Sequence, residues 1–403
     1  MDQALANMKV VDLTHHIAGP YATKLLADFG ADVIKIERPK EGDTCRRLGP
    51  FPGDMPHPEK SGLFLHLNTN KRSITLNLKT GTGQLIFKEL VKGADVVVES
   101  FRPGVMASFG LDYPVLERIN PNLVMASISN FGQTGPYRDF KASDLVLAGM
   151  GGDQSRGGVA EKEPLKIARR VTQYMAGLYA VSGILGAFFA SRWQGEGGQY
   201  LDLSLMELLA NYSDGRGVSL VRYQFTKLEE TRPPHEVRVV AYPPSGAYPC
   251  QDGYVEWFGT ARWAQTARML GRPDFLTDPR YATPEARIRN HEEINEILLT
   301  WMMGRTKKQC WEEAMAADVI CAPCNTLEEL IQDPHIGSRG FWTEVAHPAL
   351  GKTTVPGRPL VLGESPWRLR RPAPLLGEHN AEVLGELGYL EGDLLKMSEA
   401  GVI

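Results

Sequence analysis

The apolar positions near the amino terminus divide into short buried runs and one helical stretch. Residues 9–13 (KVVDL) form an apolar run, read as a buried strand. Gly19 and Pro20 open a helix that continues to about Phe29, because proline at a first turn has no N–H to leave unpaired. Gly30 ends that helix and 32–37 (DVIKIE) is the next strand. A strand, a helix and a strand within about 30 residues predict a parallel α/β sheet. Residues 40–62, rich in Gly, Pro and charge, read as a loop. Further strands are predicted at 73–78 (SITLNL), 95–99 (DVVVE) and 123–129, with a helix at 83–92. The segment 130–136 (NFGQTGP) is a glycine-rich turn, and 149–158 is a flexible loop that contains Asp153.

The stretch 164–207 organises the rest. Met175, Leu178, Tyr179, Val181, Ile184, Leu185, Phe188 and Phe189 surround a helix, and Gly177, Gly183 and Gly186 let neighbours approach closely. Such a helix is expected to be buried on all sides. It stops at Gly195, Gly197 and Gly198, followed by a strand at 199–205 and a second helix from Met206. Beyond 225 the texture changes: Arg232-Pro233-Pro234 and Pro243-Pro244-Ser245-Gly246 read as linker and turn. A strand at 254–258 and helices at 261–271, 287–303 and 307–317 make 225–330 a smaller α+β domain. Residues 340–377 read as strand and loop and 379–387 as a terminal helix, with no internal repeat or low-complexity segment.

Length and composition narrow the class. The 403 residues exceed one ordinary core, and 43% hydrophobic with 23% charged residues is a soluble globular balance. A net charge of −4 carries no nucleic-acid footprint. The start has no basic region or long apolar run, and 174–190 is short and Gly/Ala-rich for a span, so no signal peptide and no membrane are expected. Five cysteines fit a reducing, cytoplasmic compartment. Cys321 and Cys324 form a CxxC without a second pair or a histidine cluster, so they read as loop cysteines and no metal is expected.

Candidate chemistry follows the strand ends. Arg38 directly succeeds the second strand, where open α/β sheets bind ligands; it meets a phosphate there or is a solvated surface arginine. Gly81-Thr82-Gly83 begins like a dinucleotide fingerprint but lacks the third glycine and the acidic residue. Gln173, in the first turn of the long helix after Arg169 and Arg170, either caps its own helix or has a task.

Six stretches carry a resemblance. AGPYATKLLADFGADVIKIERPKEGD, NKRSITLNLKT, ADVVVESFRPG, SISNFGQTGP, GILGAFFASRWQGEGGQYLDLSLME and RPAPLLGEHNAEVLGELG span nearly the whole chain in order. In these it resembles the family III CoA-transferases, the group of formyl-CoA and carnitine CoA-transferases and 2-methylacyl-CoA racemases. The resemblance implies a Rossmann-like α/β large domain, 1–224 completed by 331–403, with the small domain 225–330 inserted and two chains interlocked as a dimer. It implies coenzyme A as substrate, with an acyl-CoA donor and a carboxylic acid acceptor. His15 and Ala18 match CoA-contacting positions after the first strand, and Arg38 one near the adenosine and phosphate end. Leu76 and Lys79 fall on the adenine side, Ser100, Phe101 and Arg102 on the loop under the nucleotide, and Lys141 on a CoA-contacting lysine. Asp144 matches the acidic residue beyond it, and Ser108 stands where some relatives have another phosphate-binding arginine.

The departure that bears on chemistry is Gln173. Transferases of the family carry there an aspartate that attacks the thioester, and an amide is a very poor nucleophile. Racemases also place a histidine where this chain has Ser143, so proton transfer has no obvious base. Three readings remain. The first is direct transfer without an aspartyl intermediate, with Gln173 donating to the oxyanion and Arg169, Arg170 or His16 holding a carboxylate. The second is a non-catalytic or regulatory subunit, paired with a related aspartate-bearing chain as in benzylsuccinate-type CoA-transferases. The third is an acyl-CoA lyase or hydratase on the same scaffold. Asp144 and Asp153 are the alternative carboxylate nucleophiles, and a homodimer or a heteromer fits each reading.

Overall fold

A computed structural model describes residues 3–167, 169–211, 216–229, 232 and 244–403. Six parallel strands, β1 (Lys9–Asp12), β2 (Asp32–Glu37), β3 (Lys71–Thr75), β4 (Val96–Glu99), β5 (Val124–Ser129) and β6 (Tyr200–Ser204), form one sheet. Their order is β3-β2-β1-β4-β5-β6. This is the doubly wound Rossmann-like order: the chain runs outward from β1 to β3, returns, and runs outward the other way from β4. The reversal leaves a crevice at the carboxyl ends of β1 and β4. The α/β fold expected from the sequence is the one observed.

Helices cover both faces. On one side the helix Ala18–Asp28 packs against the long helix Val171–Phe189, which ends in a π-helical turn, Ala190–Gln194. The contact is close because Gly177 has no side chain: a Cβ there would stand 2.8 Å from the Ala18 carbonyl oxygen. The long helix was expected to be buried all round. The structure buries one face, Ala176, Gly177, Ala180, Ile184 and Ala187, and leaves Leu178, Tyr179 and Phe189 exposed. One chain supplies a single layer of partners, so the outer apolar residues stay exposed, Phe189 stacking on Trp193. With its π turn the apolar segment is 24 residues long, longer than the 17 read from the sequence, and by length and composition alone could span a membrane.

The carboxyl-terminal segment covers the other face. Val383, Leu384, Met397 and Val402 pack with Ile74, Leu76 and Phe87. Arg72 fastens this join, reaching Asp32 at 2.6 Å and Glu382 at 3.0 Å. Two differences from the sequence reading sit here. The strand expected at 73–78 ends at Thr75, because Asn77 donates to the Val402 carbonyl instead of continuing a ladder. A second terminal helix, Glu391–Glu399, follows Asn380–Glu386.

The chain divides into two compact units. One comprises Met1–Gly157, Pro164–Glu230 and Gly340–Ile403; the other Gly158–Glu163 and Thr231–Arg339. The smaller unit carries an antiparallel sheet, β7 (Ser245–Cys250), β8 (Gly253–Phe258) and β9 (Ile320–Pro323), under helices that include His291–Met303 and Lys307–Ala316. Ser245 and Gly246 belong to β7 and not to a turn, while Pro233, Pro234 and Pro243 lie outside the described residues. Cys321 is buried on β9, not in a loop, because its side chain faces the apolar layer; Cys324 follows, exposed. Among the described residues no three His, Cys, Asp or Glu side chains are grouped to hold a metal.

Candidate active site

The crevice at the ends of β1 and β4 rests on buried charge. Asp12 closes β1 and accepts from the Thr14 and Thr23 hydroxyls and from Lys71, at 3.0 Å. Burial opposes its charge, but Lys35, Lys71 and the hydroxyls outweigh burial and hold the carboxyl well below the usual range. Lys35 pairs with Asp43 at 2.8 Å and donates to the Thr14 carbonyl. All four charged groups are fully buried, so each is held in place by the others and the turn after β1 is fixed. Burial pulls the Lys71 ammonium down to about 8 despite Asp12. Asp43 also accepts the backbone N–H of His16 at 3.2 Å. His16 has φ +73°, an uncommon conformation for a residue with a side chain.

Above this base lies a cavity of about 1080 Å³, lined by His15, Ala18, Ser100, Phe101, Arg102, Lys141, Asp144 and Gln173, among others. A recess of about 330 Å³ adjoins it, sharing His15, Phe101 and Val105 and lined also by Arg38, Leu76 and Lys79. Gln173, Asp144 and the residues matched to CoA-contacting positions therefore each line one of two recesses that share a wall. The Ser100 hydroxyl accepts the His15 backbone N–H at 2.9 Å, which ties the two strand ends together. The Phe101 N–H donates to Glu99 at 2.6 Å. Burial pushes the Glu99 carboxyl up to about 7, against the bonds from Ser127 and Phe101. Arg38 is exposed and stands 3.5 Å from Glu41. Ser108 ends a short helix and its hydroxyl turns back to Val105.

Gln173 and Asp144 meet at the part of the cavity that the recess does not share. Asp144 begins the helix Asp144–Met150, and Gln173 lies in the first turn of Val171–Phe189. The Gln173 amide donates to Asp144 Oδ1 at 3.3 Å, and Lys166 stands 3.1 Å from Oδ2. No side chain caps the long helix, so the own-helix cap is not the role of Gln173. Asp153 does not line the cavity; it is buried and accepts the Ile167 N–H at 3.4 Å. Its loop is shorter than expected, since Gly149 and Met150 complete the helix from Asp144.

Sequence reasoning missed part of this lining. Thr44, at the start of a short helical turn, and Asn130, Arg138 and Phe140, from loops, reach the cavity from segments with no periodic signal. Phe131, Tyr137 and Phe140 form an aromatic cluster that shapes the 130–140 loop. The buried network was also missed, although Lys35 inside the apolar DVIKIE strand was a visible sign.

Comparison with known proteins adds an independent line. The model of a family described as CoA-transferase family III matches residues 5–380. The chain is 35% identical over 396 residues to a succinate–glutarate CoA-transferase of Agrobacterium fabrum, covering 96% of each. It is 34% identical to a formyl-CoA:oxalate CoA-transferase of Streptomyces avermitilis over the full length of both. It is 33% identical to the beta subunit of a succinyl-CoA–L-malate CoA-transferase of Chloroflexus aurantiacus, covering 95% of this chain and 94% of that one. A crystal structure of a CAIB/BAIF family protein from Brucella suis superposes with a TM-score of 0.84 at 29% identity, covering 96% of this chain and 100% of that one.

Proposed function

The chain belongs to CoA-transferase family III and is an enzyme of the CoA-transferase type, and from that premise we propose that it moves CoA by direct attack of the acceptor on the donor thioester. In this reading CoA lies along Arg38, Leu76 and Lys79, then His15, Ala18, Ser100, Phe101, Arg102 and Lys141. A carboxylate oxygen of the acceptor adds to the thioester carbonyl carbon. The C–S bond breaks, giving a mixed anhydride and CoA thiolate. The thiolate adds to the acceptor's acyl carbon, the C–O bond breaks, and the donor leaves as a carboxylate. No proton is gained or lost overall. Gln173 donates to the oxyanion in each addition, and Asp144 orients its amide.

The observation that carries the reading is the 3.3 Å bond between Gln173 and Asp144 on the cavity wall. It leaves one amide N–H for the cavity and puts no free carboxylate at the helix start. Preorganised donors of this kind contribute about 3–4 kcal/mol in acyl transfer. The test is covalent trapping. Wild type incubated with acyl-CoA should give no adduct by mass spectrometry after borohydride or hydroxylamine, and initial rates should give intersecting lines. Gln173→Asp should gain a trappable acyl-enzyme. An adduct on Asp144 in the wild type ends the direct-transfer reading.

A second reading has its own support. A relative is named as a beta subunit, and the outer face of the long helix exposes Leu178, Tyr179 and Phe189. In that reading the chain is the Gln173-bearing, non-catalytic partner of an aspartate-bearing chain. Turnover only when such a chain is added would favour it. A cytoplasmic site of action suits either reading, since acyl-CoA substrates are there.

A further inference from the structure

The wall of the larger cavity is unbalanced in charge. Arg138 has Asp139 at 3.4 Å, and Asp144 has Lys166 at 3.1 Å. Arg102, Lys141 and Arg170 also line it, and among the described residues none of them has a carboxylate within ion-pair distance. The proposed path of CoA uses Arg102 and Lys141. Arg170 is left over. It precedes Gln173 by one helical turn, and the Gln173 N–H donates to the Arg170 carbonyl at 3.0 Å. Neither Arg170, His16, Asp144 nor Gln173 lines the smaller recess proposed for the nucleotide end.

The backbone that leads into Arg170, whose side chain is exposed, is tied to its surroundings. Lys166 donates to the carbonyls of Ile167, at 2.8 Å, and Arg169, and pairs with Asp144. This fastens the approach to Arg170 onto the wall that holds Gln173. Arg169 turns the chain there with φ +60°. His16 lines the same part of the cavity, and burial together with Arg170 lowers its pKa from the ordinary value, so at neutral pH its ring is uncharged. With the proposed CoA path taking Arg102 and Lys141, the unpaired charge left on this wall, among the described residues, is the Arg170 guanidinium. A planar guanidinium fits a carboxylate by two parallel N–H bonds.

We infer that Arg170 anchors the second carboxylate of a short dicarboxylic acceptor, whose first carboxylate reacts beside Gln173. The inference rests on the CoA-transfer reading and adds the substrate class. A monocarboxylic acid of the same length satisfies Gln173 and leaves Arg170 without its anion, so the site discriminates by charge. A charge-assisted bond of this kind corresponds to about a 10- to 100-fold difference in affinity.

The test is calorimetric binding of succinate, glutarate and butyrate to CoA-saturated protein, for wild type, Arg170→Ala and Arg170→Lys. CoA binding is measured first on each. Succinate or glutarate should bind wild type at least tenfold tighter than butyrate. Arg170→Ala should abolish that preference, Arg170→Lys should restore part of it, and CoA affinity should stay within about twofold. Equal binding of butyrate and both diacids by CoA-loaded wild type overturns this inference alone. So does a preference that survives Arg170→Ala, or a matching loss of CoA affinity, which would assign Arg170 to the CoA site. Failure of wild type to bind CoA at all overturns the function reading and this inference with it.

Discussion

At the scale of single residues, two carboxylates near the cavity differ because their surroundings differ. Asp12 is buried among lysines and hydroxyls and keeps its charge, whereas Glu99 is buried with two neutral donors and no cation. The Glu99 carboxyl is raised from 4.5 to about 7 by burial, with Asp202 adding slightly. Between those values the folded state holds a proton that the unfolded chain has lost, so folding stability falls as pH rises through the window. Below 4.5 the carboxyl is protonated in both states and imposes no such penalty. Glu99→Gln stays neutral throughout. The stability of the variant relative to wild type should therefore rise between pH 5 and pH 8, by at most about 3 kcal/mol. Thermal melts of both proteins across that range check it, and parallel curves would mean that Glu99 titrates normally. The other residue-scale expectation is Gln173→Asp, where an exchange of similar volume turns a donor into a nucleophile. Which charges meet in these environments could not be read from the sequence, although Lys35 within an apolar strand was a sign that one is buried. Glu99 ends an apolar strand and Asp12 ends another, and what distinguishes them is Lys35 and Lys71, brought in from β2 and β3.

At the scale of elements, the helix pair beneath the cavity depends on one missing side chain. A Cβ on Gly177 would meet the Ala18 carbonyl oxygen at 2.8 Å and the Tyr21 ring at 2.9 Å. Gly177→Ala gains about 1 kcal/mol of helix propensity and costs about 1–3 kcal/mol in overpacking. The net expectation is a loss of roughly 1 kcal/mol, with a larger loss for Gly177→Leu. Chemical denaturation measures this, and a stabilised alanine variant would mean that the two helices are not so close. Glycines at 177, 183 and 186 were legible as points of close approach. Which of them another helix touches was not, because that depends on crossing geometry. The boundary of β3 shows the same limit: alternation continued through Leu78, but the carboxyl terminus, more than 300 residues away in sequence, took the hydrogen bond of Asn77.

At the scale of the whole molecule, the apolar surface of the long helix calls for a partner. Leu178 is 48% exposed, Trp193 67%, and Phe225 on the helix Arg216–Thr226 83%. Exposed apolar side chains in such number are what an association surface would present. Sedimentation at micromolar concentration should give a dimer, or a heteromer with a related chain, and a monomer would contradict the expectation. Apolar runs, glycine and proline breaks and the order of strand and helix were enough for a parallel α/β sheet, since these are local signals repeated along the chain. The motifs from residue 18 to residue 388 pointed to the family whose model matches residues 5–380. Only the tertiary structure decided which residues meet. Asp144 and Gln173 are 29 positions apart and share a hydrogen bond. Asp153, only nine positions from Asp144 in sequence, is buried away from the cavity. Pattern along a chain sets the period of each element, while side-chain neighbours across elements are set by packing, which no local pattern encodes.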